Sequence, residues 1–157
     1  MATSLVIDLS SPAETSTFGR RLGQFLFAGS IVALEGPLGA GKTFLVKAIA
    51  EGLGLVNPAQ VTSPTFVLIQ EYNACLPIYH FDAYRLTDER QFAELGVHEY
   101  FTGVGVCLVE WADRVGGVMP VECLRIRIQV TGEESRRMDM KATGERYQQV
   151  LAKLRKQ

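Results

Sequence analysis

Residues 36–43, Gly36-Pro37-Leu38-Gly39-Ala40-Gly41-Lys42-Thr43, fit the spacing G-x-x-x-x-G-K-[ST]. Each part of that pattern has a task in holding phosphate. Glycines let the backbone turn tightly and approach phosphate oxygens without a Cβ in the way. Successive N–H groups then point into the turn, and a following helix adds the positive end of its dipole. Lys42 would neutralise the β- and γ-phosphates, and the Thr43 hydroxyl would reach Mg²⁺. From average residue usage, roughly one chain in two hundred of this length would carry the pattern by accident. Here it also lies between a strand-like run and a helix-like one, as the chemistry requires. The expected ligand is ATP with Mg²⁺.

Such a loop needs an acidic residue at the end of a neighbouring strand. Two are available: Asp82, closing Ile78-Tyr79-His80-Phe81-Asp82, and Glu110, closing Val106-Cys107-Leu108-Val109-Glu110. Both would end at the sheet edge where the loop lies, the usual ligand crevice of α/β folds. Which one touches the metal and which orients an attacking water stays open at this level. His80 stands within reach of both strands, although a lone strand histidine is more often a satisfied structural residue. In Val61-Thr62-Ser63-Pro64-Thr65-Phe66, Pro64 drives Ser63 toward extended backbone. That would present Thr65 to a γ-phosphate or Mg²⁺ in the manner of a nucleotide switch.

The elements that must position these groups follow from periodicity. Residues 5–9 read as a short strand, and Ser10-Ser11-Pro12 with Glu14 reads as a helix start. Phe18, Leu22, Phe25 and Leu26 then recur at helical spacing. Ile31-Val32-Ala33-Leu34 is a strand buried on both faces. A helix is predicted from Thr43 to about Leu53, with Leu45, Val46, Ile49 and Leu53 inward and Gly54 as its stop. Residues 65–72 and 76–82 form a predicted hairpin across Asn73-Ala74-Cys75. Asp88 would cap a short helix through Leu95, stopped by Gly96. Residues 104–110 make a core strand, residues 124–130 a strand with one wet face, and residues 137–143 its hairpin partner. Residues 145–156 carry a helical stripe of Tyr147, Val150, Leu151 and Leu154. The fold class is α/β, a three-layer sandwich on a mixed central sheet of the P-loop NTPase kind, with residues 1–157 as one domain.

Bulk properties narrow the partners. Lysine and arginine total 16 against 17 carboxylates, a net charge of −1, and among the charged clusters only the tail (Lys153, Arg155, Lys156) is basic. Affinity for nucleic acid comes largely from phosphate neutralisation, so any RNA is expected to be held through a partner. No apolar run is long enough to span a bilayer and the first residues lack a signal-peptide pattern, which makes the cytoplasm the expected compartment. Cys75, Cys107 and Cys123 are too widely spaced for a zinc pattern, and Cys107 and Cys123 lie among apolar residues as small hydrophobes.

Taken together, these segments resemble the TsaE family, the ATPase component of the bacterial system that makes threonylcarbamoyladenosine in tRNA. The resemblance runs from Glu14-Thr15 and Gly19 through the loop to Val61-Thr62-Ser63-Pro64-Thr65-Phe66 and Glu71-Tyr72. It continues through His80-Phe81-Asp82-Ala83-Tyr84-Arg85-Leu86, Glu94-Leu95-Gly96, Glu99-Tyr100-Phe101 and Val109-Glu110-Trp111-Ala112-Asp113. It implies a Mg²⁺-dependent ATPase that supports the threonylcarbamoyl-transfer proteins without performing the transfer, and that meets tRNA only through them. Carried over by position, the resemblance gives Leu38, Gly39, Ala40, Gly41, Lys42 and Thr43 to the phosphates. It gives Thr43 and Glu110 to Mg²⁺, Asp82 to the nucleotide, Thr65 to the switch and Trp111 to the edge of the site. Phe44 and Pro37 depart from the family's usual threonine and aspartate, at positions whose side chains do not contact phosphate. Adenine contacts are sought near Pro12 to Thr15 and at Ser135-Arg136. Lacking a motif-fixed arginine finger, the chain is expected to hydrolyse ATP slowly until a partner stimulates it. The rival readings are a nucleotide-dependent binding module without turnover and a small-molecule kinase.

Overall fold

The computed structural model describes residues 2–62 and 68–156. The first strand, β1 (Ala2–Leu9), alternates exposed Ser4, Val6 and Asp8 with inward Leu5, Ile7 and Leu9, so it starts earlier than apolar content alone predicts. A reciprocal cap turns the chain into α1 (Pro12–Phe25). Glu14 accepts from the Ser10 N–H at 2.8 Å while its own N–H donates to the Ser11 hydroxyl at 3.2 Å. The pair of contacts to Ser10 holds the Glu14 carboxyl below the usual carboxylate range.

Next come β2 (Ile31–Glu35) and α2 (Lys42–Gly52), the latter closed by Leu53 and by Gly54 at φ +95°. The two helices pack at backbone distance. A Cβ at Gly23 of α1 would overlap the carbonyl oxygen of Ile49 in α2, so only glycine lets them meet this closely. That contact seats α2, and with it the loop at its N-terminus, against the sheet.

The hairpin is β3 (Ile69–Asn73) and β4 (Pro77–Asp82), antiparallel as expected. Its first strand begins at Ile69, Leu68 lies outside it, and Thr65, Phe66 and Val67 fall outside the described residues. Asp88 caps α3 (Glu89–Ala93), its side chain accepting from the Gln91 N–H at 3.1 Å. That helix ends at Ala93 with Glu94 as its C-cap, short of the expected Leu95, and Gly96 in left-handed backbone opens α4 (Val97–Phe101), which periodicity over so few residues does not reveal. Then follow β5 (Val106–Glu110), a 3-10 turn at Ala112–Val115, the hairpin of β6 (Cys123–Val130) and β7 (Arg136–Thr143), and α5 (Glu145–Arg155).

The seven strands form one sheet in the order β1-β7-β6-β2-β5-β4-β3. β6, β2, β5 and β4 run parallel, while β7, β1 and β3 add antiparallel margins. On one face α1, α2 and α5 close a core around Leu22, Leu34, Leu45, Ile49, Leu108 and Leu151. On the other, α3, α4 and the 3-10 turn close a second around Phe81, Phe92, Val109 and Val115. β5 is buried at every position, which explains its unbroken apolar run. Cys107 and Cys123 are buried free thiols, and burial pushes the Cys107 thiol up to about 12. Among the described residues no helix is long and apolar enough to cross a membrane.

Candidate functional site

Parallel pairing makes the site. β2, β5 and β4 run side by side, with Leu34 opposite Glu110 and Glu110 opposite Asp82. The chain therefore leaves β2 into the glycine loop at the same sheet edge where the two carboxylates appear. Gly39 and Gly41 take φ of +79° and +104°, left-handed backbone that suits glycine. Gly41 is also the N-cap of α2, and no side chain caps that helix, so its first N–H groups have no capping side chain as acceptor.

Lys42 is 5% exposed. Its ammonium donates to the Gly36 and Pro37 carbonyls at 2.7 and 2.9 Å and stands 3.8 Å from the centre of the Trp111 ring. Burial pushes its pKa below the ordinary lysine value, and the Glu110, Asp113 and Asp82 carboxylates pull it back up. Trp111 reaches this place by a left-handed turn at φ +58°, the one positive φ outside glycine among the described residues. A large side chain adopts that backbone at a cost of about 1 kcal/mol or more. Behind the indole, Tyr84 stacks at 4.9 Å, and Arg114 spans both rings while donating to the Tyr84 carbonyl at 2.8 Å.

Glu110 is nearly buried, and its carboxylate accepts from the Thr43 hydroxyl at 2.8 Å through Oε2 and 3.1 Å through Oε1. His80 Nε2 lies 2.5 Å from Glu110 Oε2, and Tyr72 Oη lies 3.0 Å from His80 Nδ1. Asp82, also buried, accepts from the Tyr84 N–H at 2.8 Å. Of the residues singled out from sequence, Lys42, Thr43, Asp82, Glu110 and Trp111 thus converge. Thr65 lies outside the described residues. Leu38 is the exposed tip of the loop.

A cavity of about 220 Å³ opens on the other flank of the loop, lined by Pro12, Thr15, Ala40, Gly41, Phe44, Arg136 and Met138 among others. It joins the two stretches named for adenine, Pro12 to Thr15 and the Ser135-Arg136 neighbourhood. Arg136 does more than line it: its Nε donates to the Ala40 carbonyl at 2.8 Å and so braces the loop. Neither that contact nor the Tyr72–His80 pair is signalled in the sequence: the first joins residues 96 apart, and the second depends on the register of the β3–β4 hairpin.

Comparison with known proteins gives a consistent result. Residues 9–138 match the family model described as threonylcarbamoyl adenosine biosynthesis protein TsaE. The tRNA threonylcarbamoyladenosine biosynthesis protein TsaE of Bacillus subtilis (strain 168) is 44% identical over 145 residues, covering 92% of this chain and 89% of that one. The protein of the same description from Treponema pallidum (strain Nichols) is 40% identical over 126 residues, 80% and 92% of the respective chains. The crystal structure of Bacillus subtilis YdiB superposes with a TM-score of 0.81 at 39% identity, covering 98% of this chain and 95% of that one.

Proposed function

The chain belongs to the TsaE family, and on that premise we propose that it binds Mg²⁺-ATP on residues 36–43 and hydrolyses it in support of threonylcarbamoyladenosine formation in tRNA. The observation that carries this reading is the hydrogen-bonded pair of Thr43 and Glu110 beside the buried Lys42 ammonium, all at the uncapped start of α2. A hydroxyl and a carboxylate are hard oxygen donors, and Mg²⁺ keeps most of its shell as water and phosphate oxygen. The residues present therefore fit the ion, with Thr43 and Glu110 as its holders.

Bound there, Mg²⁺ would neutralise charge developing on the β- and γ-phosphate oxygens. The chain's own groups do the rest. Backbone N–H groups of residues 39–43 hold phosphate oxygens, and the Lys42 ammonium exchanges a loop carbonyl for one of them. Low dielectric around this nearly buried cation strengthens its pull on a phosphate. Asp82 and Glu110 hold the attacking water and the metal shell from the strand ends. Thr65 serves as the switch residue toward the γ-phosphate. Adenine fits the cavity between Pro12, Thr15 and Arg136, where Pro12, Phe44 and Met138 offer apolar surface to a base beside Glu133 and Glu134. The transfer proteins of the threonylcarbamoyl system are the partners, and tRNA is reached through them.

Two measurements test the reading. Calorimetry with Mg²⁺-ATP is expected to give one site per chain; absence of heat at millimolar nucleotide would end it. Product analysis with γ-labelled ATP, with and without the transfer proteins, is expected to release free phosphate, faster with them present. Label recovered on a small-molecule acceptor would point to a kinase instead, and binding without phosphate release to a binding module.

A further inference from the structure

We infer that His80 is a positioning residue for Glu110, an inference that rests on the cation reading above. β4 and β5 pair in parallel with His80 opposite Leu108 and Asp82 opposite Glu110, so His80 and Glu110 are diagonal neighbours on one face. That face looks onto α2. His80 is fully buried and both of its ring nitrogens are engaged. A carboxylate only accepts, so Nε2 donates to Glu110 Oε2. The same oxygen also accepts from Thr43, leaving Oε1 with the Thr43 hydroxyl as its hydrogen-bond partner among the described residues.

The other side of the ring is fixed as firmly. Tyr72 Oη sits 3.0 Å from Nδ1 and 2.6 Å from Gln70 Oε1, and is hydrogen-bonded by the Thr62 backbone. Because β3 and β4 pair with Gln70 opposite His80 and Tyr72 opposite Ile78, the phenol and the imidazole lie on the same face. The result is a chain of contacts, Thr62–Tyr72–His80–Glu110–Thr43, buried at its three middle members and crossing the sheet from β3 to the glycine loop. Its near end is the residue just before the Ser63-Pro64-Thr65 stretch.

Burial alone requires partners for both ring nitrogens; what is particular to His80 is that one of them is the carboxylate that meets Thr43. A glutamate at a strand end has three rotatable bonds, and holding it in one orientation carries an entropic cost. Donation from a ring clamped at both nitrogens meets that cost before the cation arrives, as groups behind metal ligands commonly do. His80 touches neither the nucleotide nor the reacting atoms in this scheme and acts through Glu110.

The test measures ATP affinity by calorimetry in Mg²⁺ and in EDTA, and takes the ratio as the metal-dependent gain. His80→Leu keeps bulk and removes both bonds. His80→Gln returns an N–H donor near the Nε2 position. The gain is expected to fall about ten- to a hundredfold in His80→Leu and to recover most of the way in His80→Gln, with affinity in EDTA within about threefold of wild type. An unchanged gain in His80→Leu, equal losses in Mg²⁺ and EDTA, or a His80→Gln no better than His80→Leu would each overturn the inference alone. A wild type that gains nothing from Mg²⁺ would overturn the cation reading and this inference with it. Should His80→Leu not fold, Tyr72→Phe removes a single oxygen and is expected to lower the gain about fivefold, the size of one hydrogen bond; no change there is an equally clear refutation.

Discussion

Charged side chains gather in two places on this sheet. At the C-terminal ends of β4 and β5 and the start of α2, Lys42, Asp82 and Glu110 are 5%, 5% and 3% exposed. On the open face of β6, β7 and β1, Glu35, Arg127, Asp139 and Val6 follow one another across four strands, with Arg125 and Lys141 in the next row and Arg137 beside Asp8. Along the first row the signs alternate, and the margin of this face is open to water: Arg137 meets Asp8 at 2.7 Å with both side chains about half exposed or more. The same residue types thus face opposite physics. Exposed pairs are screened and contribute little. At the strand ends, desolvation makes each charge expensive unless something satisfies it. Hydrogen bonds from His80 and Thr43 to Glu110, from the Tyr84 N–H to Asp82, and from Lys42 to the Gly36 and Pro37 carbonyls provide that satisfaction.

The sharpest way to break this contrast is Glu110→Gln, which keeps size and removes charge. Hydrolysis is expected to fall about a hundred- to a thousandfold, the range seen when a preorganised electrostatic group is lost, with the circular-dichroism spectrum intact. An active variant would remove Glu110 from the site. Lys42→Ala comes next. Loss of a charge-assisted phosphate contact is expected to weaken ATP binding roughly ten- to a hundredfold, and calorimetry showing wild-type affinity would refute the loop assignment.

Alkaline titration distinguishes buried from exposed groups more gently. Burial raises Tyr72 and Tyr147 from 10.0 to about 12, and Cys107 from 9.0 to about 12. The unfolded chain loses these protons first, so their contribution to stability is whole below about pH 9 and is lost as pH climbs toward 12. Urea midpoints followed by circular dichroism should fall across that window; a flat profile would mean these groups are not shielded as the structure has them. The smallest effect belongs to the open face. Arg137→Ala is expected to leave both the urea midpoint and nucleotide affinity indistinguishable from wild type, and a clear loss in either would show that the ladder does more than dissolve the sheet.

Local signals carried much of this into the sequence. The glycine loop, the serine–glutamate cap of α1, the alternation in β6 and the apolar stripe of α5 each depend on residues a few positions apart, where chain geometry fixes who meets whom. The helix α4 was not legible because five residues after a glycine cannot display a period. Leu68, inside the apolar run, lies outside β3, whose first residue Ile69 pairs with Phe81. At the site, residue types were readable and partners were not. His80 looked like an ordinary strand histidine until register put Glu110 on one of its nitrogens and Tyr72 on the other.

The sequence by itself determined the glycine loop, its cation and hydroxyl, and the supply of two carboxylates on apolar strands, since backbone stereochemistry and side-chain chemistry are local properties. Only tertiary structure decided that Glu110 is the one bonded to Thr43, that Trp111 lies over Lys42, and that Arg136 braces Ala40 from the far hairpin. Those contacts depend on strand order and register. They are set by how two apolar faces are buried at once across the whole sheet, a condition no short stretch of chain contains.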